Sequence, residues 1–364
     1  MRMLKSILLA TDFRPASQAA AQAAVRLAAA FGSRVTLLHV MEPLPNWPAH
    51  RQEPEKEVAL HVLAAQLAGQ QVEVAGMSLA VGPAAHTILD RARELDADLI
   101  LMGAGDRTGL FQFSGGPTAV TVIEHAPQPV LAVRPGQPDL AFRKILCPVD
   151  QSGPSAQGLS NAVRLAQALG GELVVLTVVP EVSWLTAAAE TGQLADARAE
   201  YDAKWREEFD RFVAGIPAHG VATRTEVRYG SPHEQILAAA RDHQADVSVM
   251  GATGRTGLVR VLLGSTTRRV LERLPCSLLT VKEEDVLEEL FEGELQLIQQ
   301  LMVDGRTALA AGAPDAAVGR FRQALAHNPF HVAATRGLAE AYERLDRPDL
   351  AGYYRHRAEK LEQA

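Results

Sequence analysis

Glycines and hydroxyl side chains recur at a spacing that suits the binding of an anion. Gly251 and Gly254 are separated by two residues. Nine further residues separate Gly254 from Gly264, which is followed by Ser265 and Thr266. Glycine tolerates positive φ and close approach of a ligand, so its backbone N–H groups can converge on an anion. Ser265 and Thr266 open a predicted helix, whose N-terminal N–H groups also favour negative charge. The pattern predicts a phosphate-binding loop, and it is not a P-loop because no Gly-Lys-Ser/Thr follows.

The elements that must position this loop are strands of a parallel sheet. Apolar runs at 145–149 and 247–250 have the length and composition of buried strands. Val149 and Asp150 end the first run, and the glycine loop follows the second. Parallel sheets bind ligands beyond the carboxyl ends of their strands, at the point where the strand order reverses. We therefore expect the Val-Asp pair and the glycine loop to meet at one sheet edge.

The chain contains two copies of this pattern, which we call copy one (residues 1–135) and copy two (residues 142–282). Four segment pairs match in the same order: KSILLATDF with KILCPVDQS, VRLAAAFGSRVTLLHV with VRLAQALGGELVVLTV, ADLILMGAGDRTG with ADVSVMGATGRTG, and PVLAVR with PCSLLTVK. Internal repeats of this kind determine how the fold of the whole chain is interpreted. Copy two carries extra residues, most simply placed in the polar stretch Trp184–Asp210. A tandem duplication accounts for all four matches.

Each copy alternates predicted strands with predicted helices. In copy one the strands are predicted near 4–10, 34–40, 72–80, 98–103 and 129–133, and the helices at 15–31, 55–69, 83–95 and 117–124. In copy two the helix after the glycine loop is predicted over Thr267–Leu274. Alternating βα units give a doubly wound parallel sheet. The predicted fold class is α/β, with two tandem doubly wound domains, and we expect them to pair about a pseudo-twofold axis.

Both copies resemble the universal stress protein family, whose domains have a Rossmann-like fold of the adenine nucleotide alpha hydrolase type. The resemblance covers residues 2–282, and copy two matches the ATP-binding pattern of the family. It implies that Asp150, next to Val149, accepts from the adenine amino group, that Val178 packs on the base and that Gly251 lies beside the ribose. The phosphate-binding residues would be Gly254, Gly264, Ser265 and Thr266.

Copy one departs from this pattern where the phosphates would bind. Its weaker candidate site residues are Asp12, Val40, Gly103 and Gly116. Asp106 replaces the second glycine of the loop, and Pro117 stands where copy two has Ser265. Two like charges about 4 Å apart repel by roughly 1–4 kcal/mol, and proline removes a backbone donor. We predict that copy one is a degenerate site.

Composition bounds the remaining function classes. The chain has 364 residues, a formal charge of −7, 47 % hydrophobic residues and only two cysteines, Cys147 and Cys276. The acidic balance argues against nucleic-acid binding, and the cysteine count argues against a disulfide framework and fits a reducing compartment. No metal-binding motif and no membrane-spanning run is present in the sequence. We therefore expect a cytoplasmic protein with buried, unreactive thiols and a packed His39.

The residues after copy two form a third predicted module, the C-terminal tail (residues 283–364). An acidic linker helix is predicted at 283–297, followed by helical repeats at 298–364. Ala317, Phe321, Ala324 and Pro329 match half of a tetratricopeptide repeat that starts at Ile298, with a small residue at Gly305. A second repeat from Val332 places Arg355 where Phe321 sits. Two repeats leave apolar faces uncovered, so we expect the tail to dock on the α/β body or to self-associate.

Together these features predict a stress-response or regulatory protein that binds ATP, with Mg²⁺ or Mn²⁺ on the phosphates, and contacts a protein partner through its C-terminal helices. A homodimer is compatible with this prediction. No nucleophile–base set is visible in the sequence, so an enzyme is not favoured. Two alternatives stay open: a slow ATPase of the same fold, and a scaffold whose nucleotide sites are vestigial and which acts only through the tail.

Overall fold

The structure, a computed structural model, describes residues 4–42, 53–104, 117–135, 142–180, 194–252, 264–273, 275–282, 292–327 and 331–363. Of the candidate site residues, Gly116 and Gly254 lie outside the described residues, as does Asp106. All other candidates can be placed in the fold.

The two copies have the same order of elements, and those of copy one agree with the predicted series. Copy one consists of β1 (Ser6–Ala10), α1 (Pro15–Phe31), β2 (Arg34–Met41), α2 (Glu53–Gly69), β3 (Val74–Val81), α3 (Ala84–Glu94), β4 (Leu99–Gly103), α4 (Pro117–His125) and β5 (Val130–Val133). Copy two consists of β6 (Lys144–Pro148), α5 (Gly153–Leu169), β7 (Glu172–Val179), α6 (Leu194–Ala214), β8 (Thr223–Tyr229), α7 (Pro232–Asp242), β9 (Val247–Gly251), α8 (Ser265–Arg273) and β10 (Ser277–Val281). Part of the extra length of copy two lies in α6, which has 21 residues where α2 has 17.

Matching end signals fix the first helix of each copy. Pro15 and Pro154 stand in the first turns of α1 and α5, where proline replaces an N–H that has no partner within the helix. Gly32 and Gly170 end the two helices in the left-handed conformation, with φ of 67° and 66°. The two helices therefore begin and end at equivalent residues, and the strands that follow them, β2 and β7, also begin at equivalent residues.

All ten strands form one sheet in the order β3-β2-β1-β4-β5-β10-β9-β6-β7-β8. Neighbouring strands are parallel within each copy, and β5 and β10 pair antiparallel where the copies meet. Buried side chains of both copies share one apolar core on each face of the sheet. The predicted doubly wound α/β fold is confirmed, and the strand order reverses at β1/β4 in copy one and at β6/β9 in copy two.

Charged groups also join the two copies at this central junction. The Glu124 carboxylate, at the end of α4, accepts from the Arg268 guanidinium of α8. The Lys282 ammonium donates to the Glu124 carbonyl at 2.5 Å, and burial lowers the pKa of Lys282 to about 8. Because Lys282 follows β10, the end of copy two lies against α4 of copy one.

The tail forms two helix pairs within its described residues: α9 (Glu292–Ala310), α10 (Pro314–His327), α11 (Val332–Arg344) and α12 (Pro348–Gln363). The predicted boundary between linker helix and first repeat, at 297/298, falls inside α9, which is continuous. Phe321 is fully buried, and its ring lies 2.6 Å from the positions that side-chain carbons on Gly305 and Gly337 would take. Two glycines thus let α9 and α11 close on one aromatic ring, an arrangement consistent with a tetratricopeptide-like module.

The tail docks on copy one through α12 and the end of α10. Arg357, 3 % exposed, donates from Nε to Asp90 of α3 at 2.7 Å. The Tyr353 hydroxyl lies 3.1 Å from the Thr87 hydroxyl. Docking on the body is one of the two arrangements predicted from the sequence.

Three further contacts extend this docking surface. The Tyr353 ring occupies the space in front of Gly82, 2.5 Å from where a side-chain carbon there would lie. The His125 ring, at the end of α4, donates from Nε2 to the Ala326 carbonyl at 2.9 Å. The Lys360 ammonium donates to the Glu94 carboxylate at 2.5 Å.

The equivalent surface of copy two lacks three of these groups. Alignment of the two copies through Gly82 and Gly230 places Ala238 where copy one has Asp90. The same alignment places Gln235 at Thr87 and Arg273 at His125. Glu94 does have an acidic counterpart, Asp242, so Asp90, Thr87 and His125 are the partners specific to copy one.

We expect this docking to be sensitive to acid through His86. This residue lies on α3 next to Thr87, its Nδ1 is buried with no hydrogen-bond partner among the described residues, and burial together with Arg357 lowers its pKa from 6.5 to about 3. His125 of α4 and Arg322 of α10 also repel a proton there, and Asp90, the acid one turn along α3, is already bound by Arg357. Protonation below pH 6.5 therefore opposes docking, and this part of the docking free energy is present at neutral pH and lost as the pH falls.

We expect tail docking to weaken about tenfold between pH 7.5 and pH 5.5 through this one group. His86→Leu should remove that share of the dependence, since leucine carries no proton. Limited proteolysis of the 283–291 segment at both pH values measures docking. Identical pH dependence in the parent and the variant would show that His86 is not the responsive group.

Candidate functional site

The carboxyl end of β6 holds Asp150 in a defined turn. The Val149 N–H donates to the Leu176 carbonyl of β7 at 2.8 Å, and Val149 is buried. Gln151 then adopts φ of 64°, which turns the chain towards α5. The Asp150 carboxylate accepts from the Ser152 N–H at 3.1 Å and from the Ser152 hydroxyl at 2.5 Å. Asp150 is therefore fixed at the sheet edge, half-buried, beside the first turn of α5.

Gly251 brings the end of β9 to the same place. A side-chain carbon on Gly251 would lie 2.9 Å from the backbone carbon and oxygen of Pro154, in the first turn of α5. No real side-chain carbon is found that close to the backbone, so only glycine fits there. The strand end and the start of α5 are thus in contact, and Asp150 lies four residues before Pro154 at the same helix start.

The glycine loop of copy two begins and ends at one point. The Gly264 N–H donates to the Ala252 carbonyl at 2.8 Å, and the Thr267 hydroxyl donates to the Gly251 carbonyl at 3.2 Å. Residues 253–263, which include Gly254 and Arg255, lie between these contacts and outside the described residues. The contacts place Gly251, Gly264 and the start of α8 together.

The N-terminus of α8 faces this point with two hydroxyl side chains. The helix begins at Ser265, two residues before the predicted start, and the Gly264 carbonyl accepts from the Arg268 N–H at 2.9 Å. Ser265 is exposed and Thr266 is half-buried, whereas Thr267 is buried against Gly251. The first-turn N–H groups of a helix have no intrahelical partner and attract anions. Val178, half-buried at the end of β7, completes the group.

The equivalent groups of copy one make different contacts. The Asp12 carboxylate accepts from the Ser17 hydroxyl at 2.7 Å and from the Arg14 N–H at 3.0 Å, and 56 % of its side chain is exposed. Gly103 has the same role as Gly251, because a side-chain carbon there would lie 2.5 Å from the Ala16 and Ser17 backbone. The helix α4 begins at Pro117, which has no N–H to offer.

An aromatic pair lies at the ends of β1 and β2 in copy one. The His39 ring, beside the half-buried Val40, donates from Nδ1 to the Thr11 carbonyl at 2.7 Å, and the Phe13 ring lies 4.8 Å from it. Burial lowers the pKa of His39, so the ring is neutral at pH 7. The sequence prediction of a packed histidine is confirmed.

Sequence reasoning missed the groups that hold the candidates in place. Ser152 and Ser17 bind the two aspartates, Pro154 crowds Gly251, and Thr267 closes the loop. A serine shortly after each aspartate was visible in both copies and was the signal that could have identified the first two.

The two cysteines lie inside the sheet core. Cys147 and Cys276 are buried, and burial raises the pKa of both thiols, that of Cys276 to about 12. The prediction that both thiols are buried is confirmed. The described part of the chain brings together no three His, Cys, Asp or Glu side chains suited to a metal ion. None of its helices has the length and apolar character of a membrane span.

The family model for the universal stress protein family matches residues 3–134 and 141–282. The chain belongs to the universal stress protein family. It is 31 % identical over 142 residues to a universal stress protein of Methanocaldococcus jannaschii, covering 39 % of this chain and 83 % of the relative. A universal stress protein of Mycolicibacterium smegmatis is 26 % identical over 302 residues, which is 76 % of this chain and 96 % of the relative.

Solved structures agree with this tandem arrangement. A putative universal stress protein from Pseudomonas aeruginosa superposes with a TM-score of 0.60 at 23 % identity, covering 78 % of this chain and 94 % of that one. One from Archaeoglobus fulgidus gives 0.59 at 18 % identity, with 78 % and 99 % covered. At such identities the likeness concerns the fold of the two universal stress protein domains.

Proposed function

We propose that copy two binds ATP and that the protein acts as a nucleotide-responsive regulator. The observation that carries the proposal is the junction at Gly251, where the two ends of the glycine loop meet the start of α8 through the Gly264–Ala252 and Thr267–Gly251 hydrogen bonds. A phosphate placed there would meet helix N–H groups and the Ser265 and Thr266 hydroxyls.

The other candidates complete an adenosine site in this proposal. Asp150 would accept from the adenine amino group, Val149 and Val178 would pack against the base, and Gly251 would pass beside the ribose. Gly254 and Gly264 would donate backbone N–H groups to the phosphates. Mg²⁺ or Mn²⁺ would bind to the phosphate oxygens, because the described residues supply no acidic cluster of their own.

Copy one takes no nucleotide in this proposal. Pro117 removes a first-turn donor, and Asp106 adds a negative charge beside the phosphates. The expected stoichiometry is one ATP per chain.

Regulation in this proposal operates by binding, not by catalysis. ATP in copy two would change the population of a conformation that the tail senses, and the tail would present its helices to a protein partner. A ligand shifts such an equilibrium only by its difference in affinity for the two states. The protein is proposed to act in the cytoplasm.

Isothermal titration of the full chain with ATP tests the site. We expect one site per chain, and Gly254→Leu should weaken ATP binding at least about a hundredfold, or about 2.7 kcal/mol, because a bulky side chain blocks the approach of the phosphates. Asp106→Leu is the matched control at the equivalent position of copy one and should leave the affinity unchanged. Two equal sites, or full affinity in Gly254→Leu, would contradict the proposal.

A further inference from the structure

The two ends of the ten-stranded sheet differ in the charge of their edge strands. At the copy-two end, β8 carries Arg224, Glu226 and Arg228 on seven residues. At the copy-one end, β3 reads VAGMSLAV, with no charge and no proline on eight residues. Natural edge strands avoid pairing with other chains by means of charges, proline or bulges. Of the described edge strands, β8 is protected by its charged side chains. The strand β3 has no charged side chain, and its protection is limited to the bulge near Val35.

The second helix of each copy, α2 on β3 and α6 on β7, shows the same contrast. On α2, Val58 and Val62 are 64 % and 50 % exposed, and Ala65 follows one turn later. The counterpart helix α6 exposes Arg206, Glu207 and Asp210 instead. Duplication thus supplies an internal comparison: α6 exposes charged side chains along its middle turns, whereas α2 exposes Val58 and Val62 there and has its exposed acids, Glu55 and Glu57, at its start.

The apolar side chains of β3 and α2 lie on one face of the sheet. The pairing of β3 with β2 shifts by one residue between Val35 and Thr36, so that Met77 pairs with Leu37 and Val81 with Met41. Leu79, which shares its side of the strand with Met77 and Val81, packs in the same core as Leu60 and Leu67 of α2. Met77 and Val81 are each 41 % exposed. Exposed apolar side chains of the strand (Met77, Val81) and of the helix (Val58, Val62) thus belong to the same face of the sheet, and we call them together the β3–α2 edge.

From these observations we infer that the β3–α2 edge is a homodimer interface, in which β3 pairs antiparallel with β3 of a second copy of this chain. The two α2 helices would then lie side by side on the same face of a continuous sheet. The partner needs to cover both the strand and the exposed valines of α2. A single extended peptide would cover only β3, whereas a second copy brings its own α2.

The charge pattern and the internal junction both favour a second copy. An isologous contact places a surface against itself, and an uncharged surface does so without like-charge repulsion. The acids of α2, Glu53, Glu55 and Glu57, are at its start, and an antiparallel partner places them opposite its uncharged end. Within the chain, β5 and β10 already pair antiparallel with α1 and α5 in contact on one face, which is the geometry proposed at the edge.

Sedimentation of the full chain at micromolar concentration tests the interface. We expect a dimer for the parent, and monomers for Met77→Lys, which puts a charge on the edge, and for Val62→Glu, which gives α2 the character of α6. Thr225→Lys is the matched control, because Thr225 pairs with Val175 as Met77 pairs with Leu37. It should remain a dimer.

Each outcome is decisive. A monomeric parent would overturn the inference, and so would a dimer that persists in both Met77→Lys and Val62→Glu. Circular dichroism confirms that each variant is folded, and the Val62→Glu result stands if Met77→Lys does not fold. ATP titration of the same variants is independent of dimerisation, because the β3–α2 edge and the copy-two site lie in different copies.

Discussion

Replacing Phe321 by alanine should unfold the C-terminal tail and leave the two α/β copies folded. Phe321 has no exposed surface, and its ring fills the space that Gly305 and Gly337 leave between α9 and α11. Truncation of a buried phenylalanine costs about 3–5 kcal/mol, because a cavity adds to the lost apolar burial. A module of four helices has little stability beyond that amount. Thermal unfolding followed by circular dichroism should therefore show an early transition that the parent lacks.

The second repeat offers a matched control for this experiment. Arg355 stands at the position that corresponds to Phe321, but its side chain is 57 % exposed and pairs with Glu343 on the surface. Arg355→Ala should change the unfolding free energy by less than about 0.5 kcal/mol. Equal effects of the two substitutions would mean that the Phe321 ring does not hold the helix pairs together.

Replacing Asp90 by alanine should release the folded tail from copy one. Arg357 is almost fully buried in the interface, and Asp90 accepts from its Nε at 2.7 Å and its Nη2 at 3.4 Å. Removing one partner of a buried ion pair leaves an uncompensated charge and costs about 3–5 kcal/mol. Small-angle scattering should show a larger radius of gyration for Asp90→Ala, and proteases should cut faster in the 283–291 segment.

Two further variants separate the ion pair from general damage. Glu94→Ala removes the more exposed pair with Lys360 and should leave the tail docked, because exposed pairs contribute less than about 1 kcal/mol. The double variant Asp90→Leu with Arg357→Met replaces both charges by apolar groups of similar size and should also dock. A docked tail in Asp90→Ala would show that Tyr353 and His125 hold it without the ion pair.

The duplication explains why so much of the α/β fold could be predicted from the sequence. Each strand and helix was seen twice with different residues, so β1 to β5 and their helices lie within a few residues of the prediction. The convergence of Asp150, Gly251 and Ser265 at one edge followed from the rule for parallel strands. The starting residue of α8 was less predictable, because Ser265 could either precede or begin the helix.

The surface on which the tail docks could not be predicted, because the contacting residues form no recognisable pattern in the local sequence. Asp90 and Arg357 are 267 residues apart, and neither stands out on its own helix. Likewise, Gly82 looks like an ordinary turn glycine until the Tyr353 ring is seen against it. Contacts of this kind join residues that are far apart in the sequence. They depend on the position in which the chain leaves β10 at the central junction, and hydrophobic periodicity does not reveal that position.

Because the two copies also associate through the central junction of β5 and β10, the covalent link between them contributes little to holding them together. Copy one is contacted at two separate places: β10 of copy two pairs with β5, and Arg357 of the tail binds Asp90 of α3. If the chain were cut at 136–141, residues 142–364 would be a bivalent ligand for residues 1–135, since each contact raises the effective concentration for the other. The linker then only sets that effective concentration. In physical terms, residues 1–135 and 142–364 associate as two different subunits would.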